Sequence, residues 1–191
     1  KENEFKKKKY TIKAFKQTST GKKNAVFEGF DKANNEILMI LDGDLTVKPE
    51  ELIKFWDKIS SGEAEFVNGT RLIYPMEKDA MRFLNYIANK LFSHLFSWIL
   101  GQKYTDTLCG TKVISKKNYL RAIQFTKDLQ SLDPFGDFFL IFSSQRLNLK
   151  MIEIPIRYVP RAYGETQISR FRDGLKLIKM FLISFFKFKA F

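Results

Sequence analysis

Short apolar runs alternate with amphipathic stretches along this chain, and turn signals separate them. Residues 37–41 form the clearest run, a continuous apolar segment of strand length that ends at two acids. Further extended segments are predicted at residues 11–16, 65–70, 106–115 and 151–159, and helices at residues 21–33, 49–62, 117–124 and 133–147. Repeated alternation of strands with helices predicts an α/β sheet that is covered by helices on both faces.

Two further helical stretches, residues 78–100 and 168–191, are more apolar than a helix on the surface of a water-soluble core needs to be. The second stretch also carries basic residues along one side of its helical wheel, namely Arg172, Lys176, Lys179 and Lys187. Its longest charge-free run, residues 180–186, is far shorter than the roughly 20 residues that span a bilayer. We predict that both helices lie in a membrane interface, and ordinary core packing is the alternative for each.

The composition is that of a folded domain with few options for metal or nucleophile chemistry. The chain has 191 residues, of which 45% are hydrophobic, and this is enough to bury a sizeable core. Cys109 is the only cysteine and His94 the only histidine. The sequence therefore excludes an intrachain disulfide framework and a cysteine-rich zinc site, and it argues against histidine-based metal sites and serine–histidine catalysis.

The formal net charge of +12 is placed unevenly along the chain. Residues 1–23 hold nine Lys and two Glu, and residues 157–191 hold eight basic and two acidic residues. The stretch between these two ends is close to neutral. Basic ends of this kind are attracted to phosphate on nucleic acids, anionic lipids or phosphorylated ligands, and a plain solvated surface is the alternative.

The acids that end the first apolar run are Asp42 and Asp44, and Gly43 leaves backbone space between them. Ligands in open α/β sheets gather at the carboxyl ends of strands. Two carboxylates this close repel each other unless a positive group joins them, and a hard divalent cation that carries substrate phosphates is the usual partner. In the alternative interpretation the acids cap the strand, and Asp44 begins the helix after Pro49.

Several motifs in sequence order resemble those of family 2 glycosyltransferases, in particular enzymes related to polyprenyl-phosphate sugar synthases. Each motif is weak alone, but together they cover the chain from about Lys16 to its carboxyl end in the family's order. The matching segments are Gly21-Lys22-Lys23-Asn24-Ala25, residues 40–50 with the two acids, Gly69-Thr70-Arg71, residues 106–112 (Asp-Thr-Leu-Cys-Gly-Thr-Lys), Glu153-Ile154-Pro155 and residues 161–166 (Arg-Ala-Tyr-Gly-Glu-Thr).

The resemblance implies a GT-A-type sheet that binds a nucleotide-sugar, and a hexosyl transfer that inverts the sugar's anomeric configuration. The donor would contact Lys22, Asp42, Gly43 and Asp44, and the two acids would bind Mg²⁺ or Mn²⁺. The acceptor would be a polyprenyl-phosphate lipid, whose phosphate suits guanidinium groups. The arginines expected to hold it are Arg71, Arg82 and Arg161.

A phosphate acceptor already carries a nucleophilic oxygen, whereas a hydroxyl acceptor needs a carboxylate to take its proton. Asp106 is the first candidate for that base and Asp137 the second. A turn acid or helix cap is the alternative role for Asp106, and a surface helix acid is the alternative for Asp137.

The chain also departs from the family pattern. Lys23 replaces the second glycine of the first turn, Thr111 the usual Phe, and Thr166 the usual Ser. The family's first strand, with its nucleotide site, is not found. We therefore expect a partial GT-A domain over residues 1–167 that binds donor poorly, followed by a basic membrane-interface helix over residues 168–191.

Three other classes compete with a glycosyltransferase. A haloacid-type phosphohydrolase also places Asp-x-Asp after a strand, but the Leu45-Thr46 that follows here is not its usual continuation. A nucleic-acid-binding module is suggested by the basic charge, although the Phe residues follow helical spacing rather than strand spacing. A non-catalytic protein of the membrane surface is the third. We expect a cytoplasmic protein, peripheral on the inner face of a membrane, whose partners do not include nucleic acid.

Overall fold

The computed structural model describes residues 12–75, 81, 83–131, 133, 135–161 and 170–189. Seven α-helices, one 3₁₀ helix and four strands are found in these parts of the chain. In order they are α1 Lys22–Lys32, β1 Ile37–Ile40, the 3₁₀ helix Pro49–Glu51, α2 Leu52–Ser60, β2 Phe66–Thr70, α3 Phe83–Leu100, β3 Lys112–Ser115, α4 Lys116–Phe125, α5 Lys127–Gln130, α6 Phe138–Arg146, β4 Met151–Pro155 and α7 Arg170–Phe188.

The four strands form one mixed sheet in the order β1-β3-β2-β4. Strand β3 is antiparallel to both of its neighbours, whereas β2 and β4 are parallel. The register places Lys112 opposite Ile40 on one side and Asn68 on the other, and Asn68 opposite Glu153. Three polar residues on β3, β2 and β4 therefore form one row across a mostly apolar sheet.

Helices cover both faces of this sheet, as the strand–helix alternation predicts. On one face Phe66 and Ile114 belong to a large core with residues of α1, α3, α4, α6 and α7. On the other face Val67 and Val113 pack in a smaller core with the fully buried Phe55 of α2. Alternate residues of β2 and β3 thus enter different cores, as the period-2 geometry of strands requires.

The strand predicted at residues 11–16 is wrong for its described part, residues 12–16, which has no regular structure. Ile12 and Phe15 remain 42% and 56% exposed, and the ammonium of Lys32 lies 4.3 Å from the centre of the Phe15 ring. The segment rests outside α1 and buries too little apolar surface to form a strand of the sheet.

Helices α3 and α7 pack against each other through aromatic side chains. The rings of Trp98 and Phe185 stack with centroids 5.5 Å apart, and Phe96 meets Phe181 edge-on at 6.1 Å. The same helices also expose a set of apolar side chains, each between 47% and 73% exposed: Phe83, Leu84, Ile87, Leu91 and Trp98 on α3, and Leu175, Ile178, Leu182 and Phe186 on α7. Each helix therefore packs into the core on one side and exposes apolar side chains on another.

Within the described ranges, no helix is both long enough and apolar enough to cross a membrane. Two of the basic residues of α7 form ion pairs within the chain while staying partly exposed. Lys176 lies 2.8 Å from the carboxylate of Asp173, and Lys187 lies 2.8 Å from that of Asp128 on α5. Residues 78–80 and 168–169 of the two predicted helices lie outside the described residues.

The turn before α6 depends on Gly136, and this gives a stability prediction. Gly136 has φ +92°, and a Cβ there would lie 2.4 Å from the Cα of Lys23. We expect Gly136→Ala to lower the free energy of unfolding by about 2 kcal/mol or more, because a strained conformation costs about 1–3 kcal/mol before the clash is added. Urea unfolding followed by circular dichroism measures the change.

Gly29→Ala is the matched control for this prediction. Gly29 lies inside α1, and nothing stands within 4 Å of the added Cβ. This substitution should raise stability by about 0.5–1 kcal/mol, since alanine favours a helix over glycine by that amount. Equal effects of the two substitutions would contradict the assigned turn.

Candidate active site at the end of strand β1

A tight turn directly after β1 positions Asp42 and Asp44. The Leu45 amide donates to the Asp42 carbonyl at 3.3 Å, and Leu45 takes φ +54°. Oδ1 of Asp44 accepts from the Thr46 amide at 3.2 Å and from the Thr46 hydroxyl at 2.9 Å. Lys48 rather than Asp44 is the N-cap of the helix at Pro49, so Asp44 is fixed by its own turn.

Lys22, the first residue of α1, joins two of the predicted site residues. Its Nζ lies 3.0 Å from Oδ1 of Asp42 and 3.2 Å from Oδ2 of Asp137. Burial alone would lower the pKa of Lys22, but the charges of Asp137 and Asp42 raise it above its ordinary value. Lys22 is therefore charged at every physiological pH, and it holds the two carboxylates together.

A second lysine, which is fully buried, extends this cluster. Lys112 on β3 is fully buried, donates to the Cys109 carbonyl and lies 3.8 Å from Oδ2 of Asp137. Burial would raise the pKa of Asp137, but Lys22 and then Lys112 hold it below its usual range. The positive charges of Lys22 and Lys112 therefore keep the buried Asp137 carboxylate ionised.

Asp133 interacts with Asp137 of the same cluster, but its pKa is shifted in the opposite direction. Its oxygens accept from the amides of Phe135 at 2.7 Å and Phe139 at 2.8 Å. Burial and the negative charge of Asp137 raise the pKa of Asp133 to about 6. The two acids thus differ because the lysines lie beside only one of them.

Arg71 and Asp106 form a two-pronged ion pair at the end of β2. The Arg71 Nε donates to Oδ2 at 2.7 Å and its Nη2 to Oδ1 at 2.9 Å, while the Arg71 amide adds a third bond of 3.1 Å. Burial alone would raise the pKa of Asp106, but Arg71 holds it below its usual range. Asp106 is fully buried, so this carboxylate is ionised and engaged.

Arg161, another of the predicted phosphate ligands, contacts Asp44. The Nη2 of Arg161 is 2.8 Å from Oδ2 of Asp44, so each acid of the Asp-x-Asp pair contacts a basic side chain. Gly110 lies very close to Asp42, because a Cβ at Gly110 would stand 2.2 Å from Oδ2 of Asp42 and 2.6 Å from Nζ of Lys22. Arg82 lies outside the described residues.

Comparison with known proteins decides which family this geometry belongs to. The family model described as "Glycosyl transferase family 2" matches residues 2–143 of the 191. The chain belongs to glycosyl transferase family 2. This confirms the resemblance read from the motifs, and the mixed α/β sheet agrees with a GT-A fold.

Curated proteins similar to this family 2 chain come from archaea and bacteria. Glycosyltransferase AglJ of Haloferax volcanii is 29% identical over 161 residues, which are 83% of this chain and 50% of that protein. The dolichyl-phosphate hexose transferase of the same organism is 30% identical over 75% of this chain and 58% of its own length. The undecaprenyl-phosphate mannosyltransferase of Micrococcus luteus is 26% identical over 70% and 54%. The chain spans about half the length of these three relatives.

The oxygen ligands of Asp42 and Asp44 fit a divalent cation that arrives with a phosphorylated substrate. Their side chains are 41% and 23% exposed, so both can be reached. Among the described residues there is no group of three or more His, Cys, Asp and Glu side chains placed to hold a metal. Mg²⁺ usually keeps several waters and takes only one or two carboxylates beside substrate phosphates, and two acids meet that need.

Lys112 and Glu153 lie inside predicted motifs, but the motifs assigned them no role. Asp133, Asn68 and Thr105 were not predicted as site residues. Glu153 accepts from the Thr105 amide at 2.7 Å and from Nδ2 of Asn68 at 2.9 Å. A usable signal existed, because Lys112 and Glu153 are the charged residues of short strands that are mostly apolar. A charge in such a place is retained only with partners.

The different surroundings of the buried acids Asp133 and Asp137 give a prediction for the pH dependence of stability. Asp133 should keep its proton up to about pH 6, whereas the unfolded chain releases it near 3.8. The folded state is therefore favoured by this group at low pH, and that contribution is lost as the pH rises from about 4 through 6. Carbon-13 NMR of the carboxyl groups should show Asp133 titrating near pH 6.

Asp128 is the control carboxyl for this titration. It lies on the surface, and Lys187 and Arg146 hold its pKa below the ordinary value despite its slight burial. It should titrate at a lower pH than Asp133, and Asp133→Asn should flatten the fall in stability between about pH 4 and 6. A midpoint near 4 for Asp133 would contradict the account.

Proposed function

We propose that the chain acts as a hexosyltransferase that moves a sugar from a nucleotide-sugar to a polyprenyl-phosphate lipid. One observation carries the proposal: two carboxylates meet two cations after β1, with Lys22 on Asp42 and Arg161 on Asp44. The carboxylates suit a hard divalent cation and the basic groups suit phosphate oxygens. The names of two relatives, a dolichyl-phosphate hexose transferase and an undecaprenyl-phosphate mannosyltransferase, support a lipid-phosphate acceptor.

On the donor side, Asp42, Gly43 and Asp44 lie along the diphosphate and Lys22 provides a fixed positive charge. Asp42 and Asp44 would hold Mg²⁺ or Mn²⁺, and the bound ion would neutralise charge on the departing diphosphate. Lys22 has three N–H donors, and its two carboxylate partners hold the ammonium in one place. A fixed cation needs little reorganisation when charge develops nearby, which is the basis of electrostatic catalysis.

The state of the two candidate bases supports an acceptor that brings its own ionised oxygen. Asp106 is engaged by Arg71, and Asp137 by Lys22 and Lys112; both carboxylates are buried and have lowered pKa values. A carboxylate stabilised in this way is a weak base. A phosphate monoester needs no base, whereas a hydroxyl acceptor would have to rely on one of these two acids.

Arg71, Arg82 and Arg161 are the groups proposed to hold the acceptor phosphate. The ion pair with Asp106 fixes the plane of the Arg71 guanidinium. The Arg161 side chain stays 29% exposed in its ion pair with Asp44, so a phosphate can approach its guanidinium. A single displacement at the anomeric carbon then converts an α-linked donor into a β-linked product.

The membrane part of the proposal rests on α3 and α7. The two helices pack together and expose nine large apolar side chains between them. Arg172, Lys176 and Lys179 add exposed basic groups on α7. A surface of this composition lies in the headgroup region of an anionic bilayer. We propose a peripheral protein on the cytoplasmic, inner face of a membrane, where a soluble nucleotide-sugar can meet a lipid acceptor.

The first test concerns the acid pair. Asp44→Asn is expected to reduce sugar transfer on the order of a hundredfold, the size that loss of metal-based charge stabilisation produces. The readout is transfer of labelled sugar from nucleotide-sugar to polyprenyl phosphate. Asp57→Asn is the matched control, because Asp57 is an exposed acid on α2. Undiminished transfer in excess EDTA would refute the metal role.

The second test concerns the membrane surface. Leu91→Ser on α3 and Leu182→Ser on α7 remove leucines that are 56% and 52% exposed, so they should disturb the fold little. Each change should weaken binding to anionic liposomes by about tenfold, since burying a leucine contributes about 1.5–3 kcal/mol. Co-sedimentation measures the change.

Leu120→Ser provides the comparison for this test. Leu120 lies on α4 and is 54% exposed, so the same chemistry is altered away from α3 and α7. Its binding to liposomes should equal that of the unmodified chain. If all three variants bind alike, the exposed leucines of α3 and α7 do not contact the bilayer.

A further inference from the structure

A carboxylate that belongs to none of the assigned roles organises the segment before β3. Glu153 lies on β4, in register with Asn68 on β2. Its Oε2 accepts from the Thr105 amide at 2.7 Å and the Thr105 hydroxyl at 2.8 Å. Its Oε1 accepts from Nδ2 of Asn68 at 2.9 Å and more weakly from the Asp106 amide at 3.4 Å. Four donors therefore converge on one side chain.

The hydroxyl groups beside Glu153 have only one consistent arrangement. The oxygens of Thr105 and Thr70 lie 2.7 Å apart, and Thr105 is also 2.8 Å from Glu153. An ionised carboxylate can only accept, so the Thr105 hydrogen goes to Glu153 and Thr70 donates to Thr105. Glu153 thus sets the direction of hydrogen bonding back to the end of β2, one residue before Arg71.

Glu153 and Asn68 together hold the backbone of Asp106 on both sides. The Asp106 amide points at Glu153, and the Asp106 carbonyl accepts from Asn68 at 2.9 Å. Both hydrogens of the Asn68 amide are used in this way, one on Asp106 and one on Glu153. The Asp106 side chain in turn carries the guanidinium of Arg71.

We propose that Glu153 is a positioning residue, which fixes Asp106 and through it the orientation of the Arg71 guanidinium. The proposal rests on the proposed function only for what Arg71 binds, the phosphate of the acceptor. Glu153 contacts neither Lys22 nor the acid pair in the hydrogen bonds described, so its effect falls on the acceptor rather than on the donor.

The test is Glu153→Gln, which preserves shape but replaces one acceptor oxygen by an NH₂ group. That group must face a donor, either at Thr105 or at Asn68. Asn68 can turn its oxygen toward the new NH₂ only by giving up its bond to the Asp106 carbonyl. Every arrangement of the variant therefore releases the segment around Asp106.

Glu65→Gln is the matched control. Glu65 directly precedes β2, and its Oε2 accepts from the Lys150 amide at 3.0 Å just before β4. The substitution makes the same chemical change beside the same pair of strands, but before their first residues and away from Asp106. Melting temperatures of both variants show how much each one perturbs the fold as a whole.

The first readout needs no enzymatic activity. Hydrogen exchange should become about tenfold faster or more at the Thr105 and Asp106 amides in Glu153→Gln, since a lost charged acceptor loosens their hydrogen bonds. In nitrogen-15 NMR, the Nε–H signal of Arg71 should shift or broaden, with Arg71→Lys used to identify it. Glu65→Gln should leave both signals unchanged. If Glu153→Gln also leaves them unchanged, the proposal is overturned.

The second readout separates positioning from general destabilisation. Glu153→Gln should raise the KM for polyprenyl phosphate by about tenfold, because a misplaced Arg71 guanidinium cannot make a two-pronged contact with the acceptor phosphate. The KM for the donor should change by less than about twofold. Equal increases in both KM values would overturn the proposal. If the unmodified chain transfers no sugar while the NMR changes occur, the proposed function fails and the link from Glu153 to Arg71 stands.

Discussion

The rest of the structure depends on the pairing of Lys112, a fully buried lysine at the start of β3. A buried charge is tolerated only when it is paired and hydrogen-bonded. Lys112 meets this need with the Cys109 carbonyl and Asp137, Asp137 is shared with Lys22, and Lys22 reaches Asp42. One chain of alternating charges thus connects β3, the start of α6, the start of α1 and the end of β1.

The same constraint fixes the register of the sheet. Lys112, Asn68 and Glu153 are cross-strand neighbours, and a slip of one residue would turn their side chains toward the apolar core around Phe55. Asn68 and Glu153 then hold the segment that carries Asp106. The polar row across the sheet therefore serves folding and site assembly at once, because the strands cannot pair correctly without bringing these groups together.

Periodicity and motifs located most elements and the residues that end β1. The structure places Lys22 on Asp42 and Arg161 on Asp44 just after β1, and helices cover both faces of the sheet as the alternation predicted. The pairings could not be predicted, because they follow from the strand order β1-β3-β2-β4 and from the reversed direction of β3, which leave no trace in periodicity. Arg71 illustrates this, since its motif suggested a phosphate ligand and the fold places it on Asp106. The roles assigned to Asp106, Asp137 and the three arginines stay predictions.

The central claim is that the acceptor brings its own ionised oxygen to a site whose carboxylates are all engaged. Comparing polyprenyl phosphate with the corresponding polyprenol, across a panel of nucleotide-sugars with Mg²⁺ or Mn²⁺, tests it most directly. The account predicts sugar transfer to the phosphate and none to the alcohol. Transfer to the alcohol at a similar rate would show that Asp106 or Asp137 acts as a base, and it would contradict the account.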